Sequence, residues 1–186
     1  MTPNFYLDIE VVGADDSGLS LPSLRSLAFM KLHSRFKKSP SVFAIAIPRL
    51  SKGKGLRVFA TTQEEVESLL AGLAEEVWFR DYAKVRGVKA VPQDYSGGWA
   101  AFARYRIPTV KSDRHSAGDT SSLRDRRLAY ARDKRLEYFN VRSSSTSQLF
   151  SLTVERLDGV GLPREGVPNS YGLCSRLAPL GLPDFE

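Results

Sequence analysis

The chain has 186 residues, 42% of them hydrophobic, a net charge of +6 and one cysteine, Cys174. These figures allow a packed core in one large or two small domains and exclude an internal disulfide. They also indicate a polyanionic partner such as nucleic acid, although a solvated basic surface would carry the same charge. No apolar run is long enough to cross a membrane and no signal segment opens the chain, so we expect a soluble cytoplasmic protein with no membrane partner.

The first half of the chain has the pattern of a βαββαβ unit. Segments rich in aromatic and β-branched residues alternate with segments whose leucines recur at helical spacing. Ser20 before Pro22, and Thr62 before an acidic pair, are signals of a helix N-terminus. We predict strands over 5–12, 41–50, 56–61 and within 83–91, and helices from Pro22 to Phe36 and from Thr62 through Leu73. This order is typical of the ferredoxin-like fold, which RNA-binding domains share with many unrelated enzymes.

The second half has a different pattern. It predicts an extended segment over 100–110, a polar linker over 111–122, a helix capped by Ser121 or Ser122 that reaches about Arg135, a strand pair around 141–150 and a proline-rich tail. The predicted fold class is therefore α+β. A ferredoxin-like, RRM-like domain at 1–94 is followed at 95–186 by an α/β domain with an arginine-rich helix.

The predicted helix SLRDRRLAYARDKR is the strongest basic feature. At about 100° per residue, one half of its surface carries Arg124, Arg127, Arg132, Lys134 and Arg135, whereas Arg126 points elsewhere. Arginine binds phosphate through two parallel hydrogen bonds, so such a face indicates contact with nucleic acid. The alternative is a helix stabilised by internal ion pairs, since Asp125 and Asp133 are also present. The cations outnumber these acids.

Two further arginines, Arg104 and Arg106, lie two residues apart on the extended segment. Side chains at this spacing project to the same face of a strand. Arginine to a guanine edge is the most frequent base-specific contact, but strands also carry exposed arginines without such a role. The pair is thus a candidate base-reading site.

Proton transfer has one candidate in each half of the chain, His33 and His115. Imidazole titrates near neutrality, although a histidine at a helix margin, as predicted for His33, is often only a half-buried residue. The single cysteine and two distant histidines lack zinc-ligand spacing, and no phosphate-binding glycine loop is present. We therefore expect no metal and no cofactor. RNA can be cleaved without either, because its 2′-hydroxyl can attack the adjacent phosphate.

Four motifs give the chain a resemblance to a known family. YLDI near the N-terminus, KLH at 31–33, the RSxST…F pattern within VRSSSTSQLF (141–150) and SYGLCS at 170–175 occur in this order. The chain resembles, from residue 6 to about 176, the CRISPR RNA-processing endoribonuclease of type I-F systems. The resemblance implies metal-independent cleavage of a repeat hairpin in the precursor transcript, leaving a 2′,3′-cyclic phosphate and a 5′-hydroxyl. It also implies that the enzyme stays on the stem-loop as a subunit of the interference complex.

The resemblance assigns roles residue by residue. It implies that His33 transfers a proton, that Ser143 holds the attacking 2′-hydroxyl and that Tyr171 orients His33. It further implies RNA contacts by Arg104 at a guanine, by Phe150 under the terminal base pair, and by Arg142, Ser145 and Thr146 around the cut. Whether His33 acts as base or acid stays open.

The chain departs from the family pattern in two places. Arg106 stands where the family has glutamine, and the arginines of the helix do not align one to one, so the specific hairpin does not transfer. One alternative is a hairpin-binding subunit that has lost catalysis. Another is a general single-strand RNA binder, which would need aromatic residues on the central strands that IAIPRL and LRVFAT supply poorly.

Overall fold

A computed structural model describes residues 1–13, 18–48, 54–113, 121–142, 148–159 and 161–185. Its first sheet contains β1 (Phe5–Val11), β2 (Ala44–Ala46), β3 (Gly55–Ala60), β4 (Ala83–Val85) and β5 (Lys89–Ala90). The strand order is β2-β3-β1-β4, with β5 also pairing β1, and the pairings are antiparallel. This is the ferredoxin-like order, so the predicted N-terminal fold is confirmed.

The helices of this half begin where their caps predict. Helix α1 (Leu21–Phe36) is capped by Ser20, whose hydroxyl accepts from the Ser23 amide, and α2 (Gln63–Ala74) begins at a capping box formed by Thr62 and Glu65. A short helix α3 (Val77–Tyr82), which we did not predict, precedes β4. The predicted strand over 41–50 is wrong in length, because Ser41 adopts a left-handed turn and β2 begins only at residue 44.

The second sheet contains β6 (Gly98–Tyr105), β7 (Glu137–Arg142), β8 (Leu149–Asp158) and β9 (Leu182–Asp184), in the order β7-β8-β6-β9. The predicted strand pair around 141–150 is confirmed as β7 and β8, with Arg142 opposite Leu149. A 3₁₀ turn (Val110–Ser112) precedes helix α4 (Leu123–Asp133), which Ser122 caps. The helix ends two residues earlier than predicted, because Arg135 has a left-handed backbone.

Helix α1 lies against both sheets. It contacts β1 in the first sheet and β7 in the second, where Arg25 pairs with Glu137 and the Phe29 ring stacks on Phe139. Buried hydrophobic side chains from both halves form one continuous core. The division into domains at residue 95 therefore stays a prediction, although the two sheets divide between residues 90 and 98. In the described ranges, no helix is both long and apolar enough to cross a membrane.

Candidate active site and RNA interface

His33 lies near the end of α1 with its ring half buried. Its Nδ1 is 2.6 Å from the carbonyl oxygen of Ser170, which lies 137 residues away in sequence. A carbonyl can only accept, so Nδ1 carries the proton and donates it to this bond. In the neutral ring Nε2 then holds the lone pair. Among the described residues, Nε2 has no hydrogen-bond partner.

The ring of Tyr171 stacks on His33. The two centroids are 3.9 Å apart and the planes differ by 11°. Phe29, one turn earlier on α1, lies nearly parallel to Tyr171, and Phe139 of β7 stacks on Phe29 in turn. The imidazole is thus held between a helix and an aromatic stack, which limits its rotation.

The turn that carries Tyr171 is built by Asn169. The Asn169 side chain accepts from the amides of Tyr171 at 2.8 Å and Leu173 at 3.3 Å, and its backbone amide donates to the Leu173 carbonyl. Gly172 has φ +74°, and a Cβ there would lie 2.9 Å from the Phe36 ring and 3.2 Å from the Ile45 amide. Only glycine fits this position without strain. Sequence reasoning gave no role to Asn169 or to Ser170 of the SYGLCS motif, although asparagine three residues before glycine is a turn signal.

Both sheets hold this turn in place. The Ile45 amide of β2 donates to the Gly172 carbonyl at 2.8 Å, and the Cys174 amide donates to the Phe102 carbonyl of β6 at 2.9 Å. The Arg104 amide then donates to the Cys174 carbonyl at 3.3 Å. This ladder brings the Arg104 guanidinium to 5.8 Å from the centre of the Tyr171 ring. Tyr171 therefore contacts both the predicted proton-transfer residue and a predicted base-reading residue.

The surroundings of His33 lower its pKa below the ordinary value of 6.5. Partial burial is the main cause, because it penalises the charged ring, and the positive charge of Lys37 acts in the same direction. The hydrogen bond to Ser170 opposes them. The lowered pKa favours the neutral ring, in which the lone pair on Nε2 is available to accept a proton.

A cleft lies along the other side of Tyr171. Its walls come from β6 and the residues after it, from α4 and from the segment 167–177. Its basic members are Arg104, Arg106, Arg127 and Arg176. Burial lowers the pKa of Arg104, and the charge of neighbouring Arg106 lowers it further. The positive charges of these four arginines repel one another, and a bound anionic ligand would reduce that repulsion.

Two arginines of α4 do not simply face solvent. Arg124 donates to the Pro108 carbonyl and Arg127 to the Arg106 carbonyl, and the Arg127 guanidinium lies 5.7 Å from the centre of the Tyr105 ring. These contacts hold the helix against the segment that follows β6. The basic helix face predicted from the sequence is thus divided. Arg124 and Arg127 contact the segment after β6, and the other cations of this face are exposed. Arg132 and Arg135 are exposed.

Phe150 is half buried at the start of β8 and lines a second cleft. Arg104, Arg106 and Arg127 line it too, so the two clefts meet at these arginines. Arg142 is exposed at the end of β7. Ser143, Ser145, Thr146 and His115 lie outside the described residues. Over the described ranges, no group of three or more histidine, cysteine or acidic residues is placed to hold a metal ion.

Comparison with known proteins identifies the family. The family model for a CRISPR-associated protein, Cas_Csy4, matches residues 6–185. The chain belongs to the Cas_Csy4 family. The resemblance to the type I-F enzyme inferred from four motifs is therefore confirmed at the level of family. No curated protein sequence matches this family member significantly.

Among solved structures, the Cas_Csy4 chain is similar to two of the CRISPR endoribonuclease Cse3. One is bound to a 19-nucleotide RNA, with 14% identity, a TM-score of 0.33 and coverage of 91% of this chain and 96% of the other. The second, Cse3 of Thermus thermophilus bound to an RNA representing a pre-cleavage complex, has 14% identity, a TM-score of 0.37 and coverage of 97% and 100%. At such low TM-scores neither likeness carries an argument about the site.

Proposed function

We propose that this chain is a metal-independent, site-specific endoribonuclease. It cleaves precursor CRISPR RNA at the repeat stem-loop, leaves 2′,3′-cyclic phosphate and 5′-hydroxyl ends, and stays bound to the hairpin as a subunit of a type I-F interference complex. Membership of the Cas_Csy4 family supports an RNA partner of this class. The observation that carries the activity is the His33 imidazole, protonated on Nδ1 by its bond to Ser170 and stacked on Tyr171.

In the proposed reaction His33 acts as a general base. Its Nε2 accepts the proton of the 2′-hydroxyl as that oxygen attacks the adjacent phosphorus. The new bond joins the 2′-oxygen to phosphorus, and the bond from phosphorus to the 5′-oxygen breaks. The leaving 5′-oxygen takes a proton from solvent, which gives the 5′-hydroxyl, and the ring closed on phosphorus is the 2′,3′-cyclic phosphate. Arginines of the cleft stabilise the charge that develops on the phosphate oxygens.

Ser143 is proposed to hold the 2′-hydroxyl in line. The contacts between α1 and β7 support this role, because β7 ends at Arg142, the residue before Ser143. Arg25 pairs with Glu137, the Ser26 hydroxyl accepts from the Asn140 amide at 3.0 Å, and Phe29 stacks on Phe139. The helix that carries His33 is thus packed on the strand that leads to Ser143.

The arginines and Phe150 are proposed to bind the hairpin. The exposed Arg132 of α4 and Arg135, just beyond its end, contact phosphates of the stem, and Arg104 reads a guanine edge. Arg106 and Arg142 contact the strand near the cut with Ser145 and Thr146, and Phe150 stacks on the terminal base pair. Arg124 and Arg127 support the position of α4 through their backbone contacts and contribute positive charge.

The structure disfavours a general single-strand RNA binder that uses its sheet. Tyr6 of β1 and Phe59 of β3 are paired on the central strands, where such a binder presents its aromatic residues. Both rings are buried, and Phe185 stacks on Tyr6 at 4.8 Å while Arg57 covers both Tyr6 and Phe185. This face is therefore closed to bases.

The test is incubation with the repeat RNA of the CRISPR array at the same locus, in the presence of EDTA. We expect a single cut at the base of the stem, with product ends that resist phosphatase until the cyclic phosphate is opened. Tight binding without any cut would instead support the alternative, a hairpin-binding subunit that has lost catalysis.

The rate of cleavage should depend on pH through His33. A base must be unprotonated, and its pKa in the folded protein lies below 6.5. With saturating enzyme in a single turnover, we expect a constant rate constant between about pH 7 and 8. It should then fall about tenfold per pH unit below the lowered pKa. A rate that rises as the pH falls would show that His33 acts as the acid instead.

A further inference from the structure

The buried carboxylate of Glu155 has no role in the proposed reaction. It lies on β8, is 3% exposed and accepts a hydrogen bond of 2.7 Å from the Tyr130 hydroxyl of α4. Its other oxygen is 3.1 Å from Nε of Arg176, at an angle that makes the contact an ion pair and not a hydrogen bond. A carboxylate this deeply buried is stable only when it is partnered. Glu155 thus joins α4 to the segment that follows Tyr171.

Arg176 lines the cleft beside Tyr171, together with Arg104, Arg106 and Arg127. Its side chain is 56% exposed, and only its Nε approaches Glu155. In the part of the chain that the structure describes, its two terminal nitrogens have no partner. Guanidinium is a planar fork, so an arginine held through Nε still presents these terminal donors to an anion.

We propose that Arg176 is a phosphate-binding residue of the RNA site, held at the cleft wall by Glu155. It contacts the backbone of the RNA strand that passes Tyr171. The ligand is a phosphodiester, because the cleft offers guanidinium groups and, next to them, the exposed side chains of Val167 and Leu177. The inference rests on the proposed function, since it needs an RNA strand in the same cleft.

A purely structural ion pair accounts poorly for this arrangement. The ion pair with Glu155 uses only Nε, so it does not explain why the two terminal nitrogens are presented at the cleft wall. Glu155 is already paired with Tyr130, whose ring stacks on Tyr105 at 5.3 Å beneath Arg127. A fourth guanidinium adds repulsion to the cleft in the free protein, and a bound phosphate reverses that effect.

The experiment measures how affinity depends on salt. The probe is the fluorescein-labelled repeat RNA of the same locus with deoxyribose at the nucleotide upstream of the cut, titrated with full-length protein at several KCl concentrations. We expect Arg176→Gln to weaken binding on the order of tenfold and to reduce the slope of log K against log salt by about 0.7 to 0.9. Arg176→Lys should restore the slope but only part of the affinity, because a point charge lacks the fork.

Two controls separate the phosphate contact from the cost of an unpaired carboxylate. Arg176→Gln in a Glu155→Gln background leaves no buried charge unpaired, and the reduction in slope should persist there. Arg164→Gln removes an arginine that lies over Trp99 in a different cleft, and its slope should equal that of the unmodified protein. An unchanged slope for Arg176→Gln in both backgrounds overturns the proposal.

The experiment distinguishes a failure of the inference about Arg176 from a failure of the proposed function. If the unmodified protein binds the repeat but does not cleave it with EDTA present, and Arg176→Gln reduces the slope, the phosphate contact stands and the catalytic proposal fails. If the unmodified protein cleaves and Arg176→Gln keeps both affinity and slope, the inference about Arg176 fails alone.

Discussion

Replacing His33 by alanine is expected to slow cleavage of the repeat hairpin by a factor of about 10² to 10⁴, the usual contribution of a general base. Affinity for the hairpin should change by no more than about twofold, because the arginine clefts and Phe150 are formed by other residues. The measurement is a single-turnover time course with EDTA present, together with a titration of a non-cleavable hairpin.

Two variants make this result specific to the imidazole. His33→Asn keeps an amide N–H for the Ser170 carbonyl but has no base, so it should be as inactive as His33→Ala. His115→Ala removes the other histidine and should leave cleavage unchanged. Undiminished cutting by His33→Asn would refute the assignment, because it would show that the side chain only supports the turn at Ser170.

The second large effect concerns the substrate. A hairpin with deoxyribose in place of ribose immediately upstream of the cut should not be cleaved at a detectable rate, because the nucleophile is absent. It should bind within about tenfold of the all-ribose hairpin, since one lost hydroxyl contact is worth about 0.5 to 1.5 kcal/mol. Denaturing gels and a binding titration with the same RNA give the two quantities.

The matched control moves the deoxyribose one nucleotide downstream. That RNA keeps the attacking hydroxyl and should be cut at close to the normal rate. Cleavage of the upstream deoxy substrate would exclude the internal nucleophile, and it would indicate attack by water with a 3′-phosphate or 3′-hydroxyl end.

Local patterns predicted most of the N-terminal fold. Alternating residues in FYLDIEV, the caps at Ser20 and Thr62, and the leucine spacing of α1 and α2 depend on neighbours within a few residues, so a window of sequence contains them. The missing pieces are short. Helix α3 has six residues, too few to show a helical repeat. Strand β9 of the second sheet has three residues and pairs with the distant strand β6.

The candidate site was predictable only in part. The order of the motifs predicted that Tyr171 orients His33, and in the structure the centroids of their rings are 3.9 Å apart. The sequence assigned no role to Asn169 or to Ser170, although Ser170 opens the SYGLCS motif, because a hydrogen bond between a backbone carbonyl and a distant side chain has no signature in residue type. Arg176 was missed for a related reason. A single arginine in a loop becomes informative only when the other walls of its cleft are known.

The sequence by itself determined the order of the longer helices and strands, the basic excess and the family motifs, since each depends on residue type and local spacing. The tertiary structure alone decided which nitrogen of His33 carries the proton, because that depends on a carbonyl 137 residues away. It also decided which arginines dock α4 and which line a cleft. Such choices arise when distant segments are packed together, and local periodicity does not encode the distances between them.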